Sequence, residues 1–200
     1  MNVFLSLLCL VIGYLLGNLS TGMLVSAKAG TDIRHEGSGN PGTTNVMRVL
    51  GTKAGTVTFI GDFLKAVLAV LIGRWIGGEN VCLCSLASSL GVVLGHNWPF
   101  LFGFRGGKGV ACSTAIVLLM FPGWGAVAVL CCLMVIFLTR YVSVGSMLML
   151  FCHALLLLFS AQPWYVVLWG ILLAVLCFVR HGENIGRLQR GEENRLKFGK

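Results

Sequence analysis

The chain has 200 residues, of which 56% are hydrophobic and 11% are charged, and its formal net charge is +8. A mean hydropathy of +0.88 excludes an ordinary soluble domain, because about a quarter of the residues in such domains are charged. The positive charge is explained by membrane orientation and attraction to anionic lipid, and no nucleic-acid motif accompanies it, so no nucleic-acid partner is expected.

Apolar segments fill most of the chain, and a membrane-spanning helix needs roughly 20 mostly apolar residues. In chain order the segments are 3–25, 54–76, 81–102, 110–121, 124–139, 142–160 and 164–179. Two are short for a full crossing, so tilted, broken or half-depth helices are expected. We predict an all-α integral membrane protein with about seven transmembrane helices, and five spans is the alternative count.

The first two segments carry further signals. No charge precedes Lys28, so the basic start of a cleavable signal peptide is missing and the first segment is predicted to be a retained span. The second segment contains Asp62 and Lys65, three positions apart, which are expected to neutralise each other inside the bundle. A charge at the membrane centre costs about 2.5–3.5 kcal/mol on insertion scales, so this pair is a candidate functional site.

Lys or Arg residues follow the first, third, fifth and seventh segments. Because cytoplasmic loops are enriched in these residues, all four regions are predicted to be cytoplasmic. Seven spans then put the N-terminus outside and the C-terminus in the cytoplasm. Three polar segments would meet the same leaflet and could form one site.

The first polar segment, 37–45, combines glycines, hydroxyls and amides, and Arg48 follows it. One interpretation is a turn in which Thr43 or Thr44 caps a helix that carries Arg48. The other is an anion site, since a helix N-terminus presents free N–H groups to phosphate. The two interpretations are compatible.

The second polar segment is the basic glycine turn 105–109. Gly109 stands where a nucleotide-binding P-loop needs Ser or Thr, and no strand precedes the turn, so an NTPase is excluded. Glycines beside Lys108 favour phosphate binding, because a backbone without Cβ atoms approaches an anion closely. A cytoplasmic connector is the alternative.

The third polar segment follows the last apolar segment. His181, Asn184 and Arg187 would share one face if the helix continues, and a solvated amphipathic tail is the alternative. His96 lies near the end of the third apolar segment, where an interfacial histidine is the ordinary interpretation.

These residues together resemble the bacterial acyl-phosphate:glycerol-3-phosphate acyltransferase family. The resemblance lies in three motifs in order: Gly-Ser-Gly-Asn at 37–40 with Asn45 and Arg48, the run 102–109 after His96, and 181–185 with Arg187-Leu188. It covers nearly the whole chain and implies one polytopic membrane acyltransferase domain over 1–200. Gly182 departs from the family pattern, in which a larger, often basic residue stands in the third motif.

The resemblance implies transfer of a fatty acyl group from acyl phosphate to the 1-hydroxyl of sn-glycerol 3-phosphate. The products are lysophosphatidic acid and phosphate, in phospholipid biosynthesis at the bacterial cytoplasmic (inner) membrane. Both substrates and the lipid bilayer are the implied partners, with an upstream enzyme that forms acyl phosphate. No cofactor and no metal are implied.

The implied site joins all three motifs. The expected catalytic residues are Ser38, Arg48, Lys108, His181 and Asn184. The expected contacts to phosphate and glycerol 3-phosphate are Gly37, Gly39, Asn40, Asn45, His96, Arg105, Gly106, Gly107, Gly109, Glu183 and Arg187. No Ser-His-Asp set is evident, and the general base is left open among His181, His96 and a substrate phosphate oxygen.

Two other classes of function compete with this one. A small anion transporter could use basic loops and broken helices, but it should show internal repeats, and no convincing repeat is found. A scaffold that binds anionic lipid is favoured only if the three motifs are separate in space.

Overall fold

The computed structural model describes residues 2–196, and every regular element in that range is helical. The α-helices are α1 (Val3–Gly17), α2 (Thr21–Lys28), α3 (Thr43–Leu50), α4 (Thr52–Gly77), α5 (Val81–Asn97), α6 (Val110–Met120), α7 (Pro122–Thr139), α8 (Val142–Leu158), α9 (Trp164–Arg180) and α10 (Gly182–Gln189). Short 3-10 turns occupy Ile33–His35, Gly78–Asn80 and Phe100–Phe102. The predicted all-α membrane fold is confirmed.

Each predicted apolar segment forms helix, and several of these helices are short or broken. By length and composition, Val3–Lys28, Thr52–Phe102 and Pro122–Thr139 can cross a membrane, and the bent pair of α9 and α10 adds a fourth candidate if it is one span. The stretch Thr52–Phe102 contains both α4 and α5, which pack against each other. Helices α6 and α8 are shorter apolar helices. The orientation of the termini stays a prediction.

The chain divides into two compact units, Met1–Ile116 and Val117–Lys200. In the first unit, α5 packs against both α1 and α4. A Cβ atom added at Gly13 or Gly91 would overlap a backbone carbonyl of the facing helix, so these two glycines allow α1 and α5 to approach closely.

The first apolar segment is broken between α1 and α2. Asn18 Nδ2 donates to the Tyr14 carbonyl at 2.7 Å, and Ser20 is the N-cap residue of α2. The Gly17 and Leu19 carbonyls accept from Lys65 Nζ, at 3.1 and 2.7 Å. Backbone polar groups at a break inside an apolar bundle need such partners, so a donor from α4 stabilises the break.

In the second unit, α8 packs against α7 and α9. Helix α9 ends at Arg180, and α10 leaves it at an angle of 58°. After α10 the chain returns to the connection between α7 and α8, where Leu196 N donates to the Arg140 carbonyl at 2.7 Å. This return brings the segment after α10 close to the start of α8.

Candidate active site

The first polar segment is organised around the side chain of Asn45. Its Nδ2 donates to the Glu36 carbonyl at 2.9 Å, and its Oδ1 accepts from Ser38 N at 2.9 Å and from Arg48 Nη1 at 3.2 Å. Only 3% of Asn45 is exposed. This predicted substrate contact therefore lies beneath the loop, where it fixes Ser38 and Arg48 relative to each other.

Glycine is required at position 37 for two reasons. Its φ of +59° lies in the left-handed region, and a Cβ atom there would overlap Asn45 Oδ1. Asn40 closes the next turn, because its Oδ1 accepts from Gly42 N at 2.9 Å. The loop therefore keeps Ser38 and Asn40 half-buried at its surface.

The prediction that Thr43 or Thr44 caps α3 is wrong. Gly42 is the N-cap residue of α3, and it has no side chain to bond the first helical N–H groups. Thr43 is the first helical residue, and its Oγ1 is buried with no hydrogen-bond partner in the described part of the chain. The helix starts one or two residues earlier than predicted, directly after the turn in which Gly42 N donates to Asn40 Oδ1.

The second polar segment rests on the end of α5. Gly107 N donates to the His96 carbonyl at 3.0 Å. A Cβ atom at Gly106 would overlap that carbonyl, and one at Gly107 would overlap Nε2 of the His96 ring. The glycines therefore allow the turn to lie directly on His96, with Lys108 half-buried and Arg105 exposed.

His96 is buried under this turn and not at an interface. Its Nδ1 lies 3.0 Å from Lys65 Nζ and 3.7 Å from Asp62 Oδ1. The predicted pairing of Asp62 with Lys65 is confirmed at 2.9 Å. The next residue, Asn97, is fully buried, and neither of its amide atoms has a hydrogen-bond partner among residues 2–196.

The first two polar segments share an apolar base in the first unit. Met23, Ile33 and Val46 form a buried cluster, and Phe102 packs against it. Val46 belongs to the helix that carries Arg48, and Phe102 leads into the turn that carries Lys108. The structure therefore anchors these two segments on one cluster.

The third polar segment belongs to the second unit. The sequence predicts that His181, Asn184 and Arg187 share one face of a continuing helix, but the helix bends by 58° at this point. His181 stands at the bend between α9 and α10 and is 2% exposed. Its Nδ1 lies 2.8 Å from the Cys177 carbonyl, which can only accept, so Nδ1 carries the proton. In the neutral imidazole, Nε2 then holds the lone pair.

Asn184 and Arg187 are held by Glu193, a residue that the sequence did not single out. Glu193 Oε1 accepts from Asn184 Nδ2 at 2.6 Å and from Ser143 Oγ at 3.0 Å, and its Oε2 accepts from Arg187 Nε at 2.8 Å. Burial raises the pKa of the Glu193 carboxyl, but these hydrogen bonds outweigh burial and the pKa lies below its usual value.

Nothing in the sequence separates Glu193 from its neighbour Glu192, which pairs with Arg190 at the surface. The predicted contact Glu183 is also at the surface, with its side chain 82% exposed and 3.8 Å from Arg187. The carboxylate that matters for the arrangement of the third segment therefore lies outside the recognised motif.

The chain is similar to known proteins over nearly its whole length. The family model for glycerol-3-phosphate acyltransferase matches residues 7–191. The glycerol-3-phosphate acyltransferase of Clostridioides difficile (strain 630) is 38% identical over an alignment of 200 positions, which covers 98% of each chain. The one of Thermoanaerobacter pseudethanolicus is 39% identical over 192 residues, which are 96% of each chain.

Two crystal structures of PlsY (YgiH), an integral membrane glycerol 3-phosphate acyltransferase, are also similar to this chain. Its glycerol 3-phosphate form has a TM-score of 0.90 and 36% identity, with 96% of both chains covered. Its lysophosphatidic acid form has a TM-score of 0.86 at the same identity, covering 96% of this chain and 95% of the other. Since family model, relatives and structures agree over nearly the full length, the chain belongs to the glycerol-3-phosphate acyltransferase family.

Proposed function

We propose that this protein transfers a fatty acyl group from acyl phosphate to the 1-hydroxyl of glycerol 3-phosphate, with lysophosphatidic acid and phosphate as products. The observation that carries the proposal is the anchoring of two glycine-rich segments, one with Arg48 and one with Lys108, on one apolar cluster. Solved relatives in a glycerol 3-phosphate form and a lysophosphatidic acid form support the acceptor and the product.

The reaction needs little covalent participation from the protein. The acceptor hydroxyl oxygen attacks the acyl carbonyl carbon, a carboxylic ester bond forms, and the bond from that carbon to the phosphate oxygen breaks. Phosphate leaves with the electron pair of that bond, and the hydroxyl proton passes to a base. Acyl phosphate is already activated, so the enzyme contributes orientation and stabilisation of developing negative charge.

Each segment has a proposed role in this reaction. Arg48 and Lys108 bind substrate phosphate groups as cations, and the glycine backbone allows the anions to approach closely. Ser38 and Asn184 donate hydrogen bonds to phosphate or carbonyl oxygens. Asn45 and Glu193 act indirectly. Asn45 holds the Ser38 backbone and the Arg48 side chain, and Glu193 holds the Asn184 side chain.

His181 is the protein residue best suited to accept the hydroxyl proton. Its Nδ1 donates to the Cys177 carbonyl, so a neutral ring presents Nε2 as the acceptor. His96 is a weaker candidate, because its Nδ1 faces the Lys65 ammonium and its ring lies under the 106–109 turn. An oxygen of the substrate phosphate is the remaining alternative.

A donor comparison tests the proposal. Purified protein in detergent is incubated with glycerol 3-phosphate and either acyl phosphate or an acyl thioester of the same chain length, and lysophosphatidic acid is measured. We expect product with acyl phosphate only. Faster product formation from the thioester would refute the donor assignment. The proposed setting is the bacterial inner membrane, with acyl phosphate supplied by an upstream enzyme.

A further inference from the structure

Lys65 makes more contacts than the neutralisation of Asp62 requires. Its Nζ lies 2.9 Å from Asp62 Oδ1 and 3.0 Å from His96 Nδ1. It also donates to the Gly17 and Leu19 carbonyls, at 3.1 and 2.7 Å, and its side chain is 6% exposed. One ammonium on α4 therefore connects the break between α1 and α2 with the end of α5.

Burial of the Asp62–Lys65 ion pair costs desolvation free energy, so stability alone is a weak reason for this arrangement. A buried ion pair often contributes no more than well-packed apolar side chains of similar volume, because desolvation offsets the attraction. Removing one partner is strongly destabilising, but the pair as a whole can be replaced. The helix break accounts for the two carbonyl contacts, but the contact to His96 needs another explanation.

His96 transmits the position of Lys65 to the second polar segment. An ammonium only donates, so Nδ1 of His96 is the acceptor and Nε2 carries the proton of the neutral ring. Nε2 is the ring atom that a Cβ atom at Gly107 would overlap, and the His96 carbonyl accepts from Gly107 N. The residue before Lys108 therefore rests on both the ring and the backbone of His96.

We propose that Lys65 is a positioning residue for acyl transfer: through His96 it fixes the 106–109 turn and thereby the Lys108 ammonium. The proposal rests on the phosphate-binding role proposed for Lys108. Rotation or retreat of the His96 ring would remove the surface on which Gly107 lies. The turn would then hold Lys108 in several positions, and substrate phosphate would bind less tightly.

The double variant Asp62→Asn/Lys65→Met tests this without leaving a lone buried charge. Thr58→Val is the matched control, since Thr58 is fully buried on α4, one helical turn before Asp62. Among the described contacts, its Oγ1 bonds only within α4, to the Ala54 carbonyl at 2.9 Å. Steady-state kinetics are measured on the monodisperse fraction of each protein. We expect the double variant to raise KM for glycerol 3-phosphate about tenfold or more, and Thr58→Val to leave KM unchanged.

A thermodynamic cycle separates positioning from bundle stability. In a Lys108→Ala background the Asp62→Asn/Lys65→Met change should alter KM less than about twofold, because the group that is positioned has been removed. A purely structural role lowers the yield of folded protein and leaves the KM of that protein at the wild-type value. That result, or the same fold-change in both backgrounds, overturns the proposal. If the double variant is not recovered, Asp62→Asn/Lys65→Gln is measured by the same criteria.

Equilibrium binding of glycerol 3-phosphate, without any acyl donor, distinguishes failure of the proposed reaction from failure of this inference. If wild type binds glycerol 3-phosphate but does not use acyl phosphate, the donor assignment fails and the cycle is measured as Kd. A dependence of Kd on Lys65 that disappears in Lys108→Ala supports the inference. Wild-type Kd in the Lys65 double variant overturns it.

Discussion

Replacing Glu193 with Gln should weaken the third polar segment, and the structure sets the size of the effect. Gln keeps one oxygen for Asn184 but places an NH₂ group opposite Arg187 Nε, where Oε2 now accepts at 2.8 Å. The charge-assisted bond that is lost contributes about 1.5–3 kcal/mol. Because the Glu193 side chain is only 5% exposed, solvent does not replace that bond.

The expected result is a fall in kcat/KM of roughly ten- to a hundredfold with a lower midpoint of thermal unfolding in detergent. Glu192→Gln is the matched control, because Glu192 pairs with Arg190 at the surface, where both side chains are more than half exposed. Such exposed pairs contribute about 0–1 kcal/mol. Equal activity and equal unfolding midpoints in the two variants would refute the positioning role of Glu193.

Three further outcomes are expected. The pKa of Glu193 is depressed in the folded protein, so the stability that its ionised carboxylate gives the fold is fully present above the unfolded value of 4.5 and is lost as pH falls through the folded pKa. The unfolding midpoint of wild type should therefore drop more steeply in acid than that of Glu193→Gln. Arg48→Lys should reduce kcat/KM about tenfold at matched stability, because an ammonium cannot bind two phosphate oxygens in one plane; full activity in this variant would limit Arg48 to a general charge effect. Gly107→Ala should raise KM for glycerol 3-phosphate, because its methyl group would overlap the His96 ring, whereas Gly123→Ala, with no atom within 4 Å of the added Cβ, should match wild type.

The sequence predicts the features that depend on local composition. Apolar length is sufficient to identify the apolar helices, and spacing alone is sufficient to pair Asp62 with Lys65. Glycine-rich turns beside Arg48 and Lys108 are visible for the same reason.

Features that depend on contacts between distant elements could not be predicted. The buried role of Asn45 depends on where the Glu36 carbonyl and Ser38 N lie after the loop folds. The choice of Glu193 over Glu192 depends on the return of the chain after α10 towards Ser143. Likewise, His96 resembles an interfacial residue until the 106–109 turn covers it.

The break between α1 and α2 has a consequence for the order in which the protein assembles. Its two carbonyls accept from a lysine that is 46 and 48 positions later in the chain, so their partner does not yet exist when the first segment leaves the ribosome. Unpaired carbonyls are costly in lipid, so the nascent segment should enter the bilayer as one continuous helix. Docking of α4 then bends it into two. Ribosome-bound chains stalled before and after Lys65 should therefore differ in hydrogen exchange at Asn18–Ser20, and identical exchange in the two would mean that the break forms without its lysine.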